Sequence, residues 1–477
     1  MQQSCENPFD SFVMMWRVGG AMNKVSRTTG AWVGMQLLVA TMASGQTGSN
    51  REQFDAQQDG RYVYAPYTAM GSPVVLPMDG KIGEQDWLTG LDVNLGGIFF
   101  PHVHIDTALG KSTAEPGDLQ LGHHDPNING FTWQNVELGV SGRFNEFFEG
   151  FATYAGNVDS EGHWEGIYEE WFLKLQKLNL GSLGEFEVRG GRIYNRFGIQ
   201  NTYHPHGFDW ADQYLVNGRI LGEDSLTIIG TDITWKLPLP WTSQIDVAIG
   251  VAPEPHGHHH HGSREIEQQV FEAEGAAFDD VMTVANWTNI YNYNDFHQFR
   301  AGSSGAWGDN QYGLGTEIYG AHVEYQWREN GFAPGGKYLR WRTEAMWRDW
   351  SADSSRFAGH EEEEEHGHEE GEHHEEDEHH EDAPRRDSFG EFGVYSSVLY
   401  GFNPRLEVGL RAEYVAGDLA AGLDDRFRMG PGVTFYVNEA RTFKFRTQYN
   451  YDLSQEFGTD HSVWGQFSIT WGGPEVR

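Results

Sequence analysis

The sequence predicts an all-β chain that crosses a membrane as an antiparallel β-barrel of about 16 strands (range about 14–18), with short turns at one end and long loops at the other. Three observations predict it: long runs that alternate apolar with charged side chains, no later run of 18 apolar residues, and an amino-terminal export pattern. The 14% aromatic content and 60 glycines among 477 residues suit strands and turns better than a packed helical core.

The export pattern comes first in chain order. From Met22, "MNKVSRTTGAWVGMQLLVATMASGQTG" has a basic start (Lys24, Arg27), an apolar centre from Ala31 to Ala43, and small residues Ala43, Ser44 and Gly45 where a peptidase can cut. That is the three-part pattern of a secretory signal peptide over 22–45. A membrane anchor is the other reading, but about a dozen apolar residues fall short of the roughly 20 that a spanning helix needs. Residues 1–21 read as an upstream extension, 46–88 as an N-terminal periplasmic segment and 89–473 as the barrel. Cleavage would remove Cys5, the only cysteine, leaving no disulfide, zinc-thiolate site or thiol nucleophile.

The alternation is plainest in "RTFKFRTQYNYD", where Phe443, Phe445, Thr447, Tyr449 and Tyr451 share one parity and Lys444, Arg446, Gln448, Asn450 and Asp452 the other. Successive strand side chains point to opposite faces, so one face is aromatic and the other charged. "RLEVGLRAEY", "KYLRWRTEAMWR" and "NVELGVSGR" repeat the pattern. A soluble sandwich also alternates, but these strands run about 10–14 residues and their apolar faces are rich in Trp, Tyr and Phe, as lipid-facing strands with interfacial girdles require.

Strands are expected near 90–104, 130–142, 145–157, 164–178, 183–195, 225–237, 241–252, 288–305, 311–327, 336–350, 389–402, 404–417, 425–437, 441–453 and 460–472. These fifteen imply one more, because single-chain bacterial barrels close with an even number. Tight turns at 143–147, 178–185, 237–242, 401–405 and 437–441 alternate with long polar segments at 105–130, 196–224, 253–287 and 351–387. The run "HSVWGQFSITWGG" has Val463, Phe467, Ile469 and Trp471 on one face. It looks like the closing strand that barrel-insertion machinery reads, although "GGPEVR" follows where that pattern usually stops.

Residues 190–240 hold Phe197-Gly198, His204-Pro205-His206, Asp209-Trp210 and Gly222-Glu223-Asp224 ahead of a strand ending in a proline-rich turn. This stretch resembles a group of porin-like outer-membrane barrels of Gram-negative bacteria, with a more distant similarity to phosphate-selective porins. The resemblance covers about 50 residues. It implies a pore in outer-membrane lipid, monomeric or homotrimeric, with His- and acid-rich outer loops linked to zinc or other divalent metals.

The net charge of −37 argues against nucleic-acid binding, which needs clustered Lys and Arg, and favours cations. Fourteen carboxylates and seven histidines lie between His360 and Asp382: His360, His366, His368, His373, His374, His379 and His380. A second run adds His256, His258, His259, His260 and His261. Imidazole with carboxylate suits Zn²⁺, Cu²⁺ and Ni²⁺, so these loops read as weak collectors of divalent metal, with no cofactor required. The other reading, for a loop spanning 353–386, is a disordered, self-repelling, solvated rim.

His204, His206 and Asp209 form a candidate pore-loop site, for metal or solute or as locally hydrogen-bonded residues. His102 and His104 share one strand face and read as a further pair; His123-His124-Asp125 belongs to a loop. Arg340, Arg342, Arg348, Arg405, Arg411, Lys444 and Arg446 face the lumen and read either as a basic ladder favouring anions or, with Glu344, Glu407 and Glu413, as cross-strand ion pairs. No GxSxG elbow or P-loop occurs, which speaks against an enzyme. The expected function is passive diffusion of small solutes or ions with metal concentrated at the mouth. The alternatives are a metal-buffering surface protein on a closed barrel, and an energy-coupled (TonB-dependent) metal receptor, for which residues 46–88 are too few to supply a plug domain.

Overall fold

The structure is a computed structural model. It describes Leu95 and residues 98–472, except 159–161, 224, 254–276, 332–334, 354–385, 419–422, 439–440 and 456–457. The expected extension, signal peptide and N-terminal segment lie outside the described residues, as do both histidine-rich runs.

Sixteen antiparallel strands close into one barrel in sequence order. They are β1 (Phe99–Ser112), β2 (Gly130–Arg143), β3 (Phe148–Val158), β4 (Trp164–Asn179), β5 (Glu185–Tyr194), β6 (Thr227–Lys236), β7 (Thr242–Val251) and β8 (Phe278–Asn294), followed by β9 (His297–Asn310), β10 (Gly315–Arg328), β11 (Tyr338–Asp353), β12 (Arg386–Asn403), β13 (Leu406–Ala416), β14 (Arg426–Tyr436), β15 (Phe443–Ser454) and β16 (Gly458–Gly472). Strand β16 pairs with β1, with Thr470 opposite His104 and Ser462 opposite Ser112. Closure leaves no free strand edge, so the ladder amides are satisfied within the sheet, as hydrocarbon demands.

The alternation resolves into an inside and an outside. On β13, Glu407, Arg411 and Glu413 are buried inward while Leu410 is 54% exposed outward; on β15, Arg446, Gln448 and Asn450 are inward and Phe445 outward. Exposed aromatic residues ring both rims: Phe144, Phe147, Phe296 and Phe402 at the short-turn end, and Phe131, Trp133, Trp164 and Trp307 at the other. An outward apolar band between aromatic girdles is the surface that a bilayer solvates.

Every even-to-odd connection is short, and five use one device. Asn145 Oδ1 accepts from the Phe147 and Phe148 amides at 2.8 and 2.9 Å, and Asn294 from Phe296 and His297 at 2.9 and 3.0 Å. Asn403 accepts from Arg405 and Leu406, Asn179 from Gly181 and Asn438 from Thr442. An asparagine carbonyl that bonds a backbone N–H two or more residues on folds the chain back at low cost.

Two sequence expectations need correction. The expected 288–305 run is two strands, the end of β8 and the start of β9 around the two-residue turn Asp295-Phe296, and β8 begins at Phe278, inside the loop expected at 253–287. The first strand is displaced: β1 runs from 99 to 112, so the loop expected at 105–130 contracts to 113–129. It includes a one-turn helix, α1 (Pro116–Leu119).

Two irregularities aim the site. Between β1 and β2 the register shifts after Asp106, where Asp106 faces Asn135 but Thr107 faces Trp133. Gln134 is the extra residue, and parity switches from Thr132 and Gln134 inward to Asn135, Glu137 and Ser141 inward. Between β3 and β4 the shift between Thr153 and Ala155 leaves both Glu169 and Glu170 buried.

Candidate functional site

The β5–β6 connection, residues 195–226, folds into the lumen as a strap. Asn201 closes its base, donating to the Asn195 and Leu226 carbonyls at 2.8 and 3.0 Å while accepting from the Leu226 amide at 2.7 Å. The chain advances through two 3₁₀ turns, Gln200–Thr202 and Pro205–Gly207, into α2 (Leu215–Leu221). Phe197, Ile199, Trp210, Tyr214, Leu215, Val216 and Ile220 are all buried, so the strap has its own apolar underside. Gly198, at φ 63°, lies against the Glu344 carboxylate, where a Cβ would overlap Oε1. Glu344 Oε1 accepts from the Ile199 amide at 3.1 Å.

Along one wall the strap meets β1, β2 and β4. His204 and His206 turn their Nδ1 atoms to the two oxygens of Glu137, at 3.0 and 2.9 Å. His204 also approaches Glu169 at 3.1 Å and, through Nε2, Glu170 at 3.3 Å. The His206 ring stacks on His104 at 3.5 Å between centroids, and His102 lies 5.4 Å from His104. His102 packs over Gly139, where a Cβ would sit 1.9 Å from its Nε2. His124 joins from the β1–β2 loop, with Nε2 3.2 Å from Glu169 and Nδ1 2.8 Å from the Gln134 carbonyl.

Along the opposite wall the strap is held by arginines. Asp209 is gripped by Arg340 and by Arg342 Nη1 at 2.7 Å, and Arg342 also pairs with Glu324. Asp212 takes Arg411 at 2.6 Å and Arg428 at 3.1 Å, with Gln448 and Asn450 amides donating at 2.8 and 3.0 Å. The Arg411 guanidinium lies 4.9 Å from the centre of the Trp210 ring. Tyr214 stacks on Tyr395 at 3.7 Å and donates to Ser397 at 2.8 Å. Arg219 of α2 and Arg348 of β11 share Glu391. Lys444 donates to the His206 carbonyl at 3.4 Å and Arg446 to the Phe208 carbonyl at 2.8 Å.

The lumenal charges singled out from sequence therefore meet the strap more than they meet each other. Arg340, Arg342, Arg348, Arg411, Lys444 and Arg446 line the interior with Glu344, Glu407 and Glu413, all buried. Arg405 is not among them: it is exposed in the β12–β13 turn, where its amide bonds Asn403. The strap and its partners leave a cavity of about 20 Å³ lined by His206, Asp209, Arg340, Glu407, Lys444 and Arg446 among others, room for one water-sized species.

Asp125, in the β1–β2 loop, ties that loop to the strap by accepting from the Gln213 and Gly122 amides at 2.7 and 3.0 Å. Burial, with the Asp212 charge nearby, pushes its carboxyl up to about 7. Sequence reasoning missed Asp212 of the strap itself and the wall carboxylates Glu137, Glu169 and Glu170 that meet its histidines. The available signal was the doublet Glu169-Glu170, which breaks strand alternation where the β3–β4 register shifts.

No family model matches the chain. One uncharacterised protein of Aquifex aeolicus is 28% identical over 123 residues, 25% of this chain and 24% of that protein, so the match spans about a quarter of its length. Similar solved structures include an anion-selective porin from Comamonas acidovorans (8% identity, 78% of this chain and 99% of that one, TM-score 0.45). OmpF of Salmonella typhi, solved with daunomycin, is another (11%, 81% and 100%, TM-score 0.44), as is OprB of Pseudomonas putida (10%, 79% and 94%, TM-score 0.45).

Proposed function

We propose that the chain is a narrow, non-catalytic diffusion channel of the bacterial outer membrane, passing ions or very small solutes through a lumen constricted by residues 195–226. The observation that supports this most is the burial of that segment between opposite walls of a closed barrel, with His204 and Asp212 0% and 1% exposed. A wide pore would leave its lumenal charges wet. Both termini of the barrel, Phe99 and Gly472, lie at the short-turn rim, the periplasmic side in this architecture. The long connections then face outward, and the histidine-rich runs at 256–261 and 360–382 would concentrate divalent metal at the mouth.

Mixed lumenal charge neutralised by the strap argues against an anion ladder, and the acidic outer sequence favours cations. The test is reversal potential and single-channel current of the refolded chain in a planar bilayer, with and without micromolar Zn²⁺, beside a chain lacking residues 360–382. Cation-selective currents that respond to zinc only with those residues present support the reading. Currents indifferent to zinc remove the metal-collecting role, and a silent bilayer removes the channel in favour of a closed anchor.

A further inference from the structure

We infer that the lumen holds a binding site for one divalent transition-metal ion, centred on Glu137 and built by His104, His204 and His206 with His102 beside them. Three segments far apart in sequence supply the donors. The H-x-H of β1 sends both rings inward because alternate strand residues share a face, the β2 bulge turns Glu137 to meet them, and the H-P-H turn of the strap descends from above. Glu137 belongs to two donor triads, one with His102 and His104 and one with His204 and His206, and the donor atoms of each lie within 4.8 Å of one another. Metal–nitrogen and metal–oxygen bonds of roughly 2.1 Å in a tetrahedral site place donors roughly 3.4 Å apart. Reaching that spacing requires the rings to rotate, with His104 and His206 leaving their stacked arrangement.

The charges favour a cation there. Glu137, Glu169 and Glu170 are at most 3% exposed. The Arg189 guanidinium stands 3.9 Å from Glu170 and is shared with Asp232 at 3.3 Å. Three buried carboxylates grouped around these imidazoles favour imidazolium protons or a metal ion between them. Because a carboxylate only accepts, both Nδ1 atoms facing Glu137 bear hydrogens in this arrangement; an entering ion replaces those protons and takes the same lone pairs. Glu170 on Nε2 of His204 then serves as the outer partner that orients a ligating imidazole. Imidazole with one carboxylate selects zinc-like ions over calcium or magnesium. With two ligands on the strap and two donors on the wall, the bound ion would pin the strap to β1 and β2.

The site is independent of the outer runs and of whether the barrel conducts, so its test avoids both. The full chain, with the twelve run histidines replaced by serine, is refolded in detergent and titrated with Zn²⁺ and Co²⁺. Metal content and the Co²⁺ absorption spectrum are measured. The expected result is one ion per chain, a nitrogen–oxygen ligand-field spectrum, and affinity at least ~10-fold weaker in Glu137→Gln and in His206→Asn. Folding of each variant is checked by its heat-modifiable gel migration. Retention of no ion by the folded parent, or equal affinity in folded Glu137→Gln, overturns the site.

Discussion

Asp212→Ala should destabilise the barrel by about 3–5 kcal/mol, the cost of leaving buried charge without its partner. Asp212 takes two guanidiniums and two amides together, at 2.6, 3.1, 2.8 and 3.0 Å. The variant leaves Arg411 with Glu413 at 3.2 Å and Arg428 with Asp452 at 2.7 Å, so each retains one partner and the lower half of the range is expected. Asp212→Asn keeps an acceptor but loses the charge, and should cost about 1–3 kcal/mol. Asp212→Ala combined with Arg411→Met should recover part of the loss, because replacing both members of a buried pair is far milder than removing one. The assay is urea unfolding in lipid vesicles followed by tryptophan fluorescence, comparing midpoints at equal slope. A loss below about 0.5 kcal/mol for Asp212→Ala would mean that the strap is not held by this clamp.

Three further outcomes follow from the same geometry. Gly198→Ala must adopt φ near 63° and displace Glu344; it should cost at least about 1–3 kcal/mol and raise single-channel current by loosening the strap base. Leu410→Arg, on the outward face of β13, should lose roughly 2–4 kcal/mol in vesicle unfolding, whereas the same change at exposed Arg405's neighbour Pro404 should be near neutral. The raised carboxyl of Asp125 gives stability that is full below its ordinary value of 3.8 and is lost as pH rises through about 7. Asp125→Asn should therefore flatten the pH dependence of unfolding between those values, and an unchanged slope would remove Asp125 as its source.

The barrel was legible because lipid and water impose opposite demands on alternate residues. In β13 and β15 each side chain obeys its parity, and the turns announce themselves through Asn145, Asn403 and Asn438. Strand β9 escaped because Asn294-Asp295-Phe296 is too short to break the hydropathy run. The strap's role was only half legible. His204, His206, Asp209 and the lumenal arginines stand out as residue types in a polar context, but which of them meet depends on pairings between positions 67 and 199 residues apart. Cross-strand register does pair Arg342 with Glu324 and Arg348 with Glu391. The strap adds buried Asp209 and Asp212, which register does not foretell, and two bulges that no alternation pattern encodes turned Glu137, Glu169 and Glu170 inward.

Under the proposed function, residues 195–226 set the width of the passage. Single-channel conductance of the native chain beside Asp209→Ala/Asp212→Ala tests it most directly, since that pair frees the arginine wall while leaving the strands intact. Small steps are expected for the native chain and steps several-fold larger for the folded double variant. Equal steps from both would contradict it.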